Sequence, residues 1–172
     1  MMMKKNHPPY STVEKELRNK SFGVITTVDS ENSPHATGIL YGLSPRGKPL
    51  RIYILTKGNT AKVRHISQNS SVSMLVPIPH HILRMIPDST ATIRGTAEIT
   101  TLEDPDFREA FNQKRVLRMN LEVDPKTLRK AVVIKITPEP VIHCYGVGIS
   151  LMELGKDPTG ASYKVKIPEN KR

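Results

Sequence analysis

Short apolar runs alternate with polar clusters along most of the chain, and the spacing of the apolar positions changes from helical to extended near residue 21. Val13 and Leu17 stand four apart on one helical face. Ser11-Thr12-Val13-Glu14 has the form of a capping box, with Ser11 as N-cap and Glu14 at the third helical position, which predicts a helix to about residues 18–20. From Phe22 the pattern is β-branched (FGVITTV, Phe22–Val28) and predicts a strand. The polar cluster 29–34 is a turn. His35–Leu43 predicts a second strand, the Pro45–Pro49 segment a turn, and Leu50–Thr56 (LRIYILT) a third strand.

Lys57-Gly58-Asn59 then interrupts, and Thr60–Gln68 carries Val63 and Ile66 at helical spacing. Ser71–Pro77 and Ser89–Thr100 are further strands, the latter with Gly95 as a sign of a bulge or close approach. Between them, 78–88 is a Pro-flanked loop that contains His80-His81. Asp104-Pro105 is an N-cap followed by proline at the first helical position, opening a helix expected to run to about Leu121. Ala131–Thr137 and Val141–Tyr145 predict two closing strands parted by Pro138-Glu139-Pro140, and Ser162–Ile167 a short last one. About seven strands and three helices, with no internal repeat, fit an antiparallel barrel of α+β type with helices in its connections.

Composition narrows the classes. At 172 residues there is room for one domain with its own core. No stretch approaches the roughly 18 apolar residues of a membrane helix. Lys4 and Lys5 precede no apolar run of the secretory kind, so the expected setting is cytoplasmic, without a membrane. A single cysteine, Cys144, excludes an intrachain disulfide. The net charge of +10 raises nucleic acid as a partner. Yet residues 1–86 carry 12 Lys and Arg against 4 Asp and Glu, while 87–172 carry 14 against 12. A basic half serves a small phosphorylated ligand equally well. With no Trp and only 5% aromatics, base-stacking platforms are poorly supplied, which speaks against nucleic acid.

Residues 50–77 carry the chemistry. A strand ends at Thr56, a polar loop follows, and a helix opens near Thr60. Free N–H groups at a helix start, with the positive end of its dipole, attract an anion. Thr56 and Thr60 add hydroxyl donors and Lys62 a full charge. Strand-loop-helix units with a threonine and a lysine are common, so this spacing alone does not specify a ligand. The Gly-rich P-loop signature is absent, and nothing points to triphosphate hydrolysis.

In its order of features the run LTKGNTAKVRHISQNSSVSMLVP resembles the flavin-phosphate segment of the pyridoxamine 5′-phosphate oxidase-like, FMN-binding split-barrel superfamily. The matching features are Leu55-Thr56, Thr60-Ala61-Lys62, the helix to Asn69 and the strand Val72–Val76. Phe22–Val28 with Pro34–Thr37 resembles the first hairpin of that superfamily, and Ile93–Glu98 its strand before the long helix. The resemblance spans about residues 11–146. It implies an antiparallel split barrel of six or seven strands, Greek-key in type, with flanking helices. Residues 1–10 would be a flexible start, and 147–172 an extension adding a strand or a dimer contact.

The resemblance further implies a homodimer with FMN at the subunit interface, acting as an oxidoreductase on a small molecule. Ala36, Thr37, Gly38, Ile39, Leu40 and Tyr41 would contact the flavin ring, mainly through backbone. Leu55 and Thr56 would meet ring edge and phosphate, and Thr60, Ala61 and Lys62 the phosphate. Ala61 stands where the oxidase proper often has Arg, so Arg51, Arg64 or the second subunit would have to supply that charge. The terminal Trp strand and Arg-x-His motif of true pyridoxamine phosphate oxidases are missing, which argues against that substrate. The alternative in another class is a carrier or sensor that binds flavin, a deazaflavin (F420) or haem without turnover. No catalytic acid or base stands out. His35, His65 and the His143-Cys144 pair read as surface, cap or packed residues, and no metal site is expected.

Overall fold

The computed structural model describes residues 7–80, 86–122 and 124–172. Eight antiparallel strands form one sheet: β1 Phe22–Val28, β2 Pro34–Leu40, β3 Gly42–Leu43, β4 Ile52–Lys57, β5 Ser71–Ile78, β6 Ser89–Thr100, β7 Ala131–Tyr145 and β8 Ser162–Lys166. Their order is β2-β1-β5-β6-β7-β4-β3, with β8 also paired to β7. The opposite ends of this order, β2 and β3, are consecutive in sequence and joined only by Tyr41, whose N–H donates to the Ser21 carbonyl at 2.8 Å. One chain segment therefore bridges both edges and curls the sheet into the split barrel.

Alternation dictates the core. Along β1, Gly23, Ile25 and Thr27 face inward while Phe22, Val24, Thr26 and Val28 face out. Ile25, Ile52, Ile54, Met74, Val76, Ile93, Ile134 and Ile136 fill the barrel, with Val13 and Leu17 of helix α1 (Tyr10–Asn19) packed among them. A second cluster forms outside, where Phe107, Ala110 and Phe111 of α3 (Pro105–Asn112) and Leu117 of α4 (Arg115–Arg118) pack on Tyr53 and Val133. No helix among the described residues is long and apolar enough to cross a membrane.

Four sequence expectations are corrected. First, α1 starts two residues earlier, with Pro9 in the cap position and no side-chain cap. Ser11 and Glu14 form no capping box, because Glu14 instead accepts from Arg18 Nε at 2.9 Å, and Arg18 Nη1 reaches the Ser44 carbonyl at 2.8 Å. Second, the strand expected over 35–43 divides at Tyr41, whose buried hydroxyl donates to the Leu17 carbonyl at 2.7 Å and turns the chain between sheet edges.

Third, the helix expected to reach Leu121 breaks at Lys114, which is extended (φ −132°, ψ 133°). The Lys114 amine turns inward, donating to the Lys20 carbonyl and sitting 5.9 Å from the Tyr41 ring centroid. The start is as expected: the Asp104 carboxylate caps the N–H groups of Asp106 and Phe107 at 3.0 and 3.1 Å. Fourth, 131–145 is one strand, not two. Pro138 and Pro140 lie where the β6 register shifts: Ile93 pairs with Ile142 but Gly95 with Pro138, so that two steps on β6 meet four on β7. Proline, which cannot donate to a ladder, is tolerated at such a bulge. Gly95 is required there, since a Cβ would stand 2.3 Å from the Thr137 oxygen.

The C-terminal segment adds α6 (Leu151–Lys156), capped by a Ser150–Glu153 box, and then β8 along the Val141–Tyr145 half of β7. The His7 ring stacks on Tyr163 of β8, with centroids 5.0 Å apart. Of the His80-His81 pair, His80 bonds Ser89 Oγ at 2.8 Å, and His81 lies outside the described residues.

Candidate functional site

At the end of β4 the chain leaves the sheet through Gly58-Asn59-Thr60 and enters α2 (Ala61–Gln68). Gly58 N–H donates to the Lys130 carbonyl at 2.9 Å, which pins this loop to the start of β7. Thr60 occupies the N-cap position in extended conformation, but its hydroxyl donates to the Lys57 carbonyl at 3.1 Å. No side chain caps α2, and its first turn carries no acid. The positive end of this helix is therefore left without internal compensation.

Lys62, in that first turn, donates from Nζ to Thr56 Oγ1 at 3.2 Å. Its ammonium is half-buried, and the loss of solvent lowers its pKa. Among the described residues no carboxylate pairs with it. Lys62 and Thr56 line a cavity of about 190 Å³ together with Gly38, Ile39, Leu40, Leu55, Phe111 and Asn120. Two unrelated segments, β2 and the β4–α2 unit, thus meet there under the helical cover of α3. Gly38 keeps the β2 wall low; a Cβ there would press on the Phe22 ring at 3.2 Å.

Six of the eleven residues expected at a ligand line this cavity: Gly38, Ile39, Leu40, Leu55, Thr56 and Lys62. Ala36, Thr37, Tyr41, Thr60 and Ala61 are not among its lining residues. Tyr41 is turned into the core, and Thr60 spends its hydroxyl on its own loop. The expected substitutes for a charge at Ala61 are also engaged elsewhere. Arg64 Nη1 donates to the Asn59 carbonyl at 3.0 Å and Arg51 Nη1 to the Leu50 carbonyl at 2.8 Å. Arg51 precedes β4, about 16 Å of strand from Thr56. Among the described residues Lys62 is the one cation lining the cavity.

Phe111 and Asn120 were not anticipated as site residues. The amphipathic run after Asp104 signals a helix but not the strand it covers. Elsewhere the bland assignments of histidine and cysteine agree with the geometry. His65 Nδ1 lies 3.0 Å from Thr27 Oγ1, and its ring meets His35 edge-on at 5.6 Å. Cys144 is buried, and burial pushes its thiol up to about 11, away from nucleophilic use at neutral pH. His143 lines a separate cavity of about 310 Å³ across β6, β7 and β8, with Cys144, Tyr145 and Tyr163.

The sequence model of the family described as pyridoxamine 5′-phosphate oxidase matches residues 11–145, and the chain belongs to that family. None of the curated proteins compared with the chain matches it. Similar solved structures include a putative pyridoxamine 5′-phosphate oxidase from Listeria innocua, at 20% identity and TM-score 0.58 over 78% of this chain and 95% of that one. HutZ, the heme storage protein of Vibrio cholerae, is 10% identical with TM-score 0.61 over 82% and 97%. A heme binding protein of Mycobacterium smegmatis is 14% identical with TM-score 0.64 over 93% and 59%. At these identities the likeness is one of fold.

Proposed function

We propose that the chain binds FMN with the phosphate at Lys62 and Thr56, and that it serves as a flavin-dependent oxidoreductase for a small molecule. The observation that carries this reading is the lone ammonium of Lys62 in its cavity. A half-buried charge that holds a hydroxyl and no carboxylate lacks its counter-ion, and a phosphate would supply one. Binding a dianion there would also restore the proton affinity that burial lowers. The uncapped start of α2 adds a second attraction for negative charge. Gly38, Ile39, Leu40 and Leu55 offer a flat apolar and backbone wall suited to one edge of a flavin ring.

A cavity of about 190 Å³ encloses only part of such a ligand, and the adjoining outer sheet face is uncovered. Phe22 is 50% exposed and Leu75 39%, with Val24 between them through the pairs Phe22–Leu40 and Val24–Leu75. A second copy laid over this face would bury these side chains and complete the cavity, which supports the homodimer. Bound FMN supplies the hydride chemistry, while this chain holds the phosphate, orients the ring and excludes water. The missing Trp strand and Arg-x-His motif argue against pyridoxamine phosphate as the substrate.

Haem is the second reading, supported by His143 at its separate cavity and by the names of two similar structures. Among the described residues no histidine lines the Lys62 cavity, so haem would have to sit elsewhere. The absorbance spectrum of the purified protein, with the released chromophore weighed by mass spectrometry, separates the readings. A flavin spectrum and the mass of FMN are expected. A Soret band, a deazaflavin mass, or a colourless protein that takes up no added FMN would overturn the proposal.

A further inference from the structure

On the other side of the β4–α2 loop lies a second concavity of different character. Thr56 and Lys57 are consecutive on β4, so their side chains leave the strand on opposite faces. Thr56 faces the cavity described above. Lys57 instead lines a depression of about 550 Å³ with Asn59, Lys126, Thr127 and Lys130. Three lysines, a threonine and an asparagine line it, and among the described residues no carboxylate does.

The depression is held in shape by backbone. Lys57 pairs with Ala131 at the start of β7, and the Gly58 N–H to Lys130 carbonyl bond clamps the two segments that carry the lysines. Lys126 and Lys130 stand four apart across the short helix α5 (Pro125–Leu128) and the turn after it. Two like charges at that spacing repel, and Lys57 adds a third. Among the described residues none of the three is in an ion pair. Arg64, bonded to the Asn59 carbonyl, adds a fourth positive charge beside the loop. Repulsion without internal compensation, concentrated in a concave site, raises the local potential and favours a ligand with several negative charges.

We propose that this lysine-lined depression is a second anion site, distinct from the Lys62 cavity, that takes the phosphate groups of a multiply charged small molecule. Its existence does not depend on the flavin reading, because no residue is shared between the two cavities. The concave form, about 550 Å³ in volume, favours a compact polyanion over a nucleic-acid duplex, which would need an extended basic stripe along the surface.

The test is calorimetric titration of the full chain with inorganic pyrophosphate. Saturable binding is expected, weakened about tenfold or more in Lys126→Ala/Lys130→Ala, as the loss of two charged donors implies. Both side chains are exposed, so folding should be unaffected. The Lys62→Ala variant should keep this binding within about twofold, and the double variant should keep wild-type FMN affinity. Absence of saturable binding, or an unchanged double variant, would overturn the proposal. So would a loss on Lys62→Ala as large as in the double variant, since the anion would then be read at the first cavity. Tight, steeply salt-dependent capture of short duplex DNA that is lost in the double variant would reassign the surface to nucleic acid.

Discussion

Lys62 Nζ donates to Thr56 Oγ1 at 3.2 Å across the uncapped start of α2, and this pair marks the inner end of the cavity between β2, β4 and α3. The contact joins the last turn of a strand to the first turn of a helix. It leaves the ammonium with two further N–H donors for a ligand.

The bulge opposite Pro138 depends on the missing side chain at Gly95. Gly95→Ala would force a Cβ to within 2.3 Å of the Thr137 oxygen, and backbone has to move. Chemical denaturation should show a loss of about 2–3 kcal/mol. A loss below about 0.5 kcal/mol would mean that the β6–β7 bulge is freer than its geometry indicates.

Glu14 and Arg18 form a pair whose side chains are only 11% and 9% exposed. Glu14→Ala leaves the guanidinium buried with the Ser44 carbonyl as its remaining partner. That should cost about 3 kcal/mol, whereas Glu14→Leu/Arg18→Met should recover most of the loss. If the single and double variants are equally unstable, packing and not charge compensation sets the cost.

Lys114 offers a pH signature. Burial, with Arg18 and Lys20 as like-charged neighbours, pushes its ammonium down to about 8 from the usual 10.5. The charged form is disfavoured in the folded state, so between about pH 8 and 10.5 the unfolded chain binds more protons and this group's contribution to stability rises with pH. Its penalty is fully present below pH 8. Lys114→Met should therefore have its stability advantage over wild type, or its smallest deficit, at neutral pH, and the difference should move toward wild type as pH rises through that window. Thermal melts at a series of pH values read this directly; a constant difference would contradict it.

Phe22 is half-exposed at the start of β1, on the uncovered sheet face. Phe22→Asp should shift the protein toward monomer in sedimentation velocity and weaken FMN binding, since the proposed second copy completes the cavity. A wild-type protein that sediments as monomer while holding FMN tightly would remove the homodimer from the account.

Much of the local structure was legible because it rests on local pattern. Phe22–Val28 and Ser89–Thr100 are strands at the expected limits, since β-branched residues, alternation and flanking turn residues agree. Asp104-Pro105 opens its helix for the same reason. Contacts distant in sequence were not legible. Nothing near Tyr41 announces that 34–43 bridges both sheet edges, and the prolines at 138 and 140 signal a break that the bulge absorbs. Glu14 fits a capping box in isolation, but Arg18 competes successfully for it.

The cavity divides in the same way. Thr56 and Lys62 could be named because strand, loop and helix are contiguous, and Gly38–Leu40 because family order places that hairpin nearby. Phe111 and Asn120 arrive through packing of α3 and the turns after α4 across some fifty residues of chain. Thr60 and Ala61 fit the family spacing, yet in the fold neither lines the cavity, and the Thr60 hydroxyl is bonded to the Lys57 carbonyl of its own loop.

The central claim is that Lys62 holds a phosphate. Its most direct measurement is the affinity of wild type and Lys62→Ala for FMN and for riboflavin, which differ only in that group. Loss of a half-buried charged donor should weaken FMN about tenfold or more, with riboflavin changed by less than about twofold. Equal losses for both ligands, or none for either, would contradict the assignment of Lys62 and Thr56 to the phosphate.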